Sequence, residues 1–456
     1  SVVNSGNITI GSSDVLFTDS YGIYNRGSSL TNSGSITVFG SGYGIYGKGS
    51  IDNSGNIAIH AENDVAPVYG IYGQNGSVID NEGQINIASS KAVNTSAVFG
   101  IYGNSAEINN NGSIKIGDGG NLFNAATGIR ADNKNVNNSG TVRIYGAGTA
   151  ISAENGNIVN NSGGGITMVI SGAADSYGIY LAGRGSNTLT NNATVKVNRS
   201  SAYAEGKKAV ALYAENGSIN NSGALEVGAK DAVINGGIGI ETDGGNVTNG
   251  GTITVYGNGS AIKAADGSIT NNASATVYGN GSVLNGQNGN VTNNEKGQLN
   301  IYTDGKASAY GIYLAGSTGN TITNKASIFI NRYGAYAQAA STGNYGIWTD
   351  NAKIVNSGDI SLGSSTAGLS GIYGLYAAGS GSIENSGVIN LYGAGTAIYT
   401  ASGTVNNTAT SGIINIYTDG SADSFGIAAG SSNNGLISNS NKISITAQNG
   451  NASAKK

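Results

Sequence analysis

The chain has 456 residues, including 76 Gly, one each of Pro, Met, Trp and His, and no Cys. Its formal charge is 22 − 26 = −4, with 11% charged residues and no basic patch for nucleic acid; the lack of Cys excludes a disulfide scaffold or a Cys-based zinc site. Glycine at about one residue in six is far above the usual share of about 7%, but a 38% hydrophobic content and near-absence of Pro oppose disorder. No apolar run approaches the ~18 residues of a spanning helix, so no membrane insertion by this segment is expected. The chain opens at Ser1 without a leader, which reads as a fragment or a processed chain.

From the N-terminus, Asn4-Ser5-Gly6-Asn7-Ile8-Thr9-Ile10 is followed by a long corner at 11–21 and then by one full repeat, 22–43: GIYNRGSSLTNSGSITVFGSGY. The Gly-Ile-Tyr position recurs with starts at 22, 44, 70, 100, 128, 150, 178, 211, 239, 261, 283, 311, 346, 374, 397 and 426. The spacings are 22, 26, 30, 28, 22, 28, 33, 28, 22, 22, 28, 35, 28, 23 and 29 residues, so 22 is the minimal period and the rest is insertion. Periods of this size signal a solenoid.

Each repeat carries three short extended pieces. The first is Gly-Ile-Tyr. The second, such as Ser29-Leu30-Thr31, ends at Asn-Ser-Gly. The third alternates aliphatic and charged residues, as in Ile114-Lys115-Ile116 and Val142-Arg143-Ile144, which is the period of two of a half-buried strand. One coil cannot bury its few aliphatics, but stacked coils can, each strand pairing with its equivalent one turn away. The expected fold is all-β: a single parallel β-helix over 1–456, three strands per coil, about 16 coils, roughly 4.8 Å per coil and about 80 Å long. An Asn column at one corner is expected to stack amide on amide as a structural ladder through Asn32, Asn53, Asn81, Asn138, Asn161, Asn221, Asn356 and Asn385.

Insertions gather between the third strand and the next Gly-Ile-Tyr. Short corners read Tyr145-Gly146-Ala147-Gly148, and long ones run near 11–21, 198–210 and 331–345. Loops on one solenoid edge are where binding function gathers. The partner-contact candidates are therefore Arg199, Tyr203, Lys207 and Lys208 in one loop, Arg332, Tyr333, Tyr336 and Tyr345 in the other, and Trp348 just beyond it. The two loops share Asn-Arg-x-x-x-Tyr-Ala at an offset of 133, which block duplication alone would also produce. A stripe after the inward Ile runs Tyr24, Tyr46, Tyr72, Tyr102, Tyr180, Tyr213, Tyr313, Trp348, Tyr376 and Tyr399; Arg130, Glu241 and Lys263 at the same position turn it outward. Such a stripe suits glycan stacking or contact with another chain, or stacking of the rings on one another along the sheet.

Catalysis is not expected. Asp304 and Asp419 sit in Asp-Gly turns four coils apart, His60 has no second His, and no Gly-x-Ser-x-Gly elbow occurs. No cofactor or metal is expected either.

Repeats of the form Gly-Ile-Tyr … Asn-Ser-Gly-x-Ile-x-Val resemble the passenger domains of type Va autotransporter adhesins, and are most similar to the large fusobacterial outer-membrane autotransporters. That resemblance implies a right-handed β-helix, a bacterial cell-surface location anchored by a C-terminal barrel outside this sequence, and adhesion to a host-cell or bacterial receptor, protein or glycan. It transfers no individual binding residue. The reading that follows is a surface adhesin segment presenting corner loops. The alternatives are a self-associating structural rod that mediates aggregation or biofilm and, more distantly, a polysaccharide-degrading enzyme.

Overall fold

Because branched aliphatics alternate with polar residues, each short strand has one face that must leave water. In the computed structural model, which describes residues 1–62, 67–90, 97–183, 185–316, 319–339, 342–408, 411–431 and 434–447, that face is buried by stacking coil upon coil. The chain divides into two compact units, Ser1–Ile234 and Asn235–Lys456. Among the described residues there is no helix, and within each unit the strands of successive coils pair in parallel. Each unit is a parallel β-helix with three strands per coil.

The register follows the repeat alignment. In the first unit Ile23, Ile45, Ile71, Ile101, Ile129, Ile151, Ile179 and Leu212 pair in succession. In the second, Ile240, Ile262, Leu284, Ile312, Ile347, Leu375, Ile398 and Ile427 do the same. All sixteen Gly-Ile-Tyr starts are therefore equivalent rungs. The third-strand pairs point inward and are shut off from solvent, Ile57, Ile59, Ile85, Ile87, Ile114 and Ile116 all at 0–1% exposure. Removing each such side chain from water contributes roughly 1.5–3 kcal/mol.

The Gly-Ile-Tyr strand departs from a period of two, and its glycine is the cause. In Val68–Gly73 both Gly70 and Ile71 face inward, so Tyr69 and Tyr72 emerge on the same outer face. A Cβ on Gly70 would lie 2.5 Å from the Gly100 carbonyl and 2.5 Å from Ile85 Cγ2. The missing side chain lets the backbone sink onto the core and reset its phase.

The Asn column forms a continuous amide ladder in each unit. In the first, Nδ2 of Asn32, Asn53, Asn81, Asn110 and Asn138 donates to Oδ1 of the next rung at 2.7 Å, and Asn160 and Asn191 continue at 2.8 Å. In the second, the rungs are Asn249, Asn271, Asn293, Asn324, Asn356, Asn385, Asn407 and Asn439, at 2.7–2.9 Å. In nearly every rung the second amide hydrogen goes to a backbone carbonyl of the same coil, as from Asn356 to Gly358 at 3.0 Å. From Asn32 to Asn407 these amides are buried, and within each unit each is bonded to the next rung.

One expected rung is corrected. Asn161 is not on the ladder; its neighbour Asn160 is. Val136-Asn137-Asn138 pairs with Ile158-Val159-Asn160, so the inward amide is the residue two after Ile158. The Gly163-Gly164-Gly165 run lengthens this corner, and Asn160 reaches Gly164, four residues on, at 3.1 Å. Asn161 instead turns outward and donates to Ser139 Oγ at 3.0 Å.

The corners divide by length. Where an insertion is minimal, the third strand runs unbroken into the next first strand, as in Ser35–Gly47 and Thr141–Glu154. Gly146 sits there at φ 128°, and a Cβ on it would stand 1.8 Å from the Phe123 carbonyl. The longest coils do insert at this corner. The corner after Gly-Ile-Tyr also grows, between Ala182 and Thr188 and between Leu314 and Thr321, so insertion is not confined to one edge.

Candidate functional site

The duplicated loops at 198–210 and 331–345 are built on one frame. Ser200 N and Ala204 N donate to Ile170 O and Ser171 O, at 2.9 and 3.0 Å. Adding 133 to each number gives Tyr333 N to Thr303 O and Ala337 N to Asp304 O, at 2.7 and 2.9 Å. The left-handed glycine under each loop obeys the same offset, Gly172 at φ 75° and Gly305 at φ 82°. The paired Arg and Tyr also meet: the Arg199 guanidinium lies 6.0 Å from the Tyr203 ring centroid and that of Arg332 lies 4.6 Å from Tyr336. Shared sequence has become shared geometry, held by a cation over an aromatic face.

The loops differ in how they are closed. In 331–345, of which 340 and 341 lie outside the described residues, the Tyr336 hydroxyl donates to Gln338 Oε1. Gln338 Nε2 donates to Thr342 O at 2.8 Å and Oγ1 at 2.6 Å, and Asn344 donates to Gln338 Oε1 at 3.0 Å. Tyr333 leans against the Tyr278 ring at 5.8 Å. In loop 198–210, Asn198 Oδ1, Ser200 Oγ and Tyr203 Oη are shielded from solvent and have no hydrogen-bond partner among the described residues. Burial, then the nearby Glu205, raises the Tyr203 pKa above its usual value, with Arg199 opposing. Lys207 is exposed, and the exposed Lys208 holds its ammonium 5.1 Å from the Tyr213 ring centroid.

Tyr345 and Trp348 lie in the strand Asn344–Thr349 and belong to an aromatic surface, not to the loop. That surface has two columns. The outward stripe stacks Tyr24 on Tyr46 at 5.1 Å and Tyr46 on Tyr72 at 5.0 Å. A second column, created by the glycine phase reset, stacks Tyr21 on Tyr43 and Tyr43 on Tyr69, both at 4.8 Å. Rings of the two columns meet edge to face, as Tyr43 and Tyr46 do at 83°. In the second unit Tyr345 stacks between Tyr310 and Tyr373, 5.0 Å from each, and Trp348 lies on Tyr313 at 4.6 Å. Burial, then the neighbouring phenols, holds the Tyr345 hydroxyl well above its ordinary pKa. The second column is missing from the sequence reading, although Tyr-Gly-Ile-Tyr spells it out. The stripe is not exposed throughout: Tyr213 is 7% exposed and Glu241 2%, the latter ion-paired to Lys263 at 2.9 Å.

Among the described residues no group of three or more His, Cys, Asp or Glu could hold a metal ion. Asp304 caps its turn, accepting from Asn280 Nδ2 at 2.7 Å and Lys306 N at 3.0 Å. Burial pushes its pKa up, but these donors together with the Lys306 charge outweigh it, and the net shift is downward. His60 stacks on Phe39 at 4.4 Å. Comparison with family models, curated proteins and solved structures finds no match.

Proposed function

We propose that the chain is a segment of an extracellular bacterial surface adhesin, non-catalytic, in which stacked β-helical coils hold corner loops out to a protein or glycan partner. The observation that carries this reading is loop 198–210. Three of its shielded polar atoms have no partner among the described residues, against one, Asn344 Oδ1, in 331–345, where the same frame closes on itself through Tyr336, Gln338 and Thr342. Unsatisfied buried polar groups cost about 1–3 kcal/mol each, so this loop gains by rearranging around a partner that supplies the missing hydrogen bonds. The exposed Lys207 and Lys208 beside them add charge for steering. The repeat form, with its resemblance to autotransporter passengers, supplies the cell-surface setting.

The test replaces 198–210 by the Tyr-Gly-x-Gly corner of the short coils. The corner is excised whole, so the circular dichroism spectrum is expected to stay β-rich while binding to host or bacterial cells falls. Replacing 331–345 in the same way is expected to leave binding intact. Unchanged binding after the first replacement sinks the loop reading, and concentration-dependent assembly without cell binding favours a self-associating solenoid instead.

A further inference from the structure

The outer aromatic face is interrupted once within a run of rungs in the first unit. In register order the outward stripe reads Tyr102, Arg130, Ser152, Tyr180, Tyr213. The companion column reads Phe99, Thr127, Thr149, Tyr177, Val210 over the same coils. Where Ser152 stands, the stack lacks a ring, and a groove of about 610 Å³ opens, lined by Arg130, Ser152, Glu154, Asn155, Tyr180 and Glu215.

Its walls are fixed in place. The Tyr180 hydroxyl donates to Glu215, which also accepts from Gly183 N at 3.0 Å, and the ring is backed by Tyr213 at 5.2 Å. Opposite, Arg130 donates to Asp132 at 2.9 Å and to Glu154 at 3.3 Å, with its guanidinium 5.9 Å from the Tyr102 centroid. Burial, then the bond it donates to Asp132, raises the Tyr102 pKa, so this phenol stays a donor. Walls held before binding reduce the ordering cost of a ligand.

Two coils separate Arg130 from Tyr180, about 9.6 Å at about 4.8 Å per coil. A ring midway would lie about 4.8 Å from each wall, the spacing at which the ladder already stacks Tyr21 on Tyr43. The rim offers both kinds of polar group: the Glu154 and Glu215 carboxylates accept, and Arg130 and the Asn155 amide donate. An anion would meet the two carboxylates, and a cation would meet Arg130. A polyhydroxylated neutral ring satisfies both.

We propose that this groove is a saccharide subsite that takes one neutral pyranose ring as the missing rung, its C–H face on Tyr180 and its hydroxyls shared between the Glu154–Arg130 and Glu215–Asn155 rims. It lies on the sheet face and the corner after Gly-Ile-Tyr, apart from loop 198–210, and does not depend on that loop binding anything.

The test is saturation-transfer NMR on the 456-residue chain with lactose, chitotriose, cellotriose and maltotriose as neutral probes, and sialyllactose and a Gly-Arg-Gly peptide as charged ones. At least one neutral saccharide is expected to bind. Tyr180→Ala is expected to weaken it about tenfold. Ser152→Tyr supplies the missing ring and is expected to abolish binding with an unchanged circular dichroism spectrum, since Tyr180 holds the same position one coil on. Absence of binding by every neutral probe, binding that survives Ser152→Tyr, or binding confined to a charged probe would overturn the proposal.

Discussion

Asn160 and Asn161 are adjacent in sequence and alike in chemistry, and the structure gives them opposite weights. Asn160 accepts from Asn138 at 2.7 Å, donates to Asn191 at 2.8 Å and donates to Gly164 O at 3.1 Å. Asn160→Ala removes all three bonds inside a site closed to water. It orphans one N–H of Asn138, Oδ1 of Asn191 and the Gly164 carbonyl. At about 1–2 kcal/mol for each orphan, the loss is about 3–6 kcal/mol. Asn161→Ala removes one bond, to Ser139 Oγ, at a half-buried position that water reaches, and costs about 0.5 kcal/mol. Repeat proteins unfold by neighbouring coils more readily than as one unit. Hydrogen exchange at the Asn161 and Asn192 amides, which donate to Asn138 O and Asn160 O, is therefore the local readout, with urea midpoints alongside. Equal effects for the two variants, or a shift below about 1 kcal/mol for Asn160→Ala, would refute the ladder argument.

Three further outcomes are expected. Gly146→Ala pushes a methyl to 1.8 Å from the Phe123 carbonyl at φ 128° and should lower the thermal midpoint by the equivalent of about 3 kcal/mol; Gly76→Ala, at φ 80° with open space around it, should cost about 1 kcal/mol. Burial, then the phenols of Tyr69 and Tyr21, pushes the Tyr43 hydroxyl up to about 12, against about 10 unfolded. The folded chain keeps this proton longer, so the stabilisation is complete below pH 10 and is lost as pH rises to about 12. Tyr43→Phe should flatten that alkaline loss, and native tyrosinate absorbance rising in a single step near pH 10 would contradict it. Phe123→Ala, emptying a site at 1% exposure, should cost about 3–5 kcal/mol in urea unfolding.

The coil register was legible because Gly-Ile-Tyr marks a constant place, and within each unit every marked Ile or Leu pairs with the next. The Asn ladder was legible where Asn-Ser-Gly closes the corner. It was misread at Asn161, where extra glycines separate that triplet from the strand. Asn249, Asn293, Asn324, Asn407 and Asn439 lack the triplet altogether; what identifies them is the aliphatic residue two positions earlier, such as Val247 or Ile322. The second aromatic column was hidden by the assumption of a strict period of two, which the inward glycine breaks. Differences between the duplicated loops were not legible, since closure at Tyr336 depends on Gln338, and Tyr203 has Glu205 at the corresponding place.

Because every ladder repeats the same rung, a coil has no address of its own along the axis. Ile240, Ile262 and Leu284 occupy one register position, as do Asn249, Asn271 and Asn293. Removing residues 261–282 would set Leu284 on Ile240 and Asn293 on Asn271's former partner, Asn249, with no strand end left unmatched. Recombination between coils can therefore lengthen or shorten such a chain by whole turns without disturbing the interior, and only the corners would record that the exchange took place.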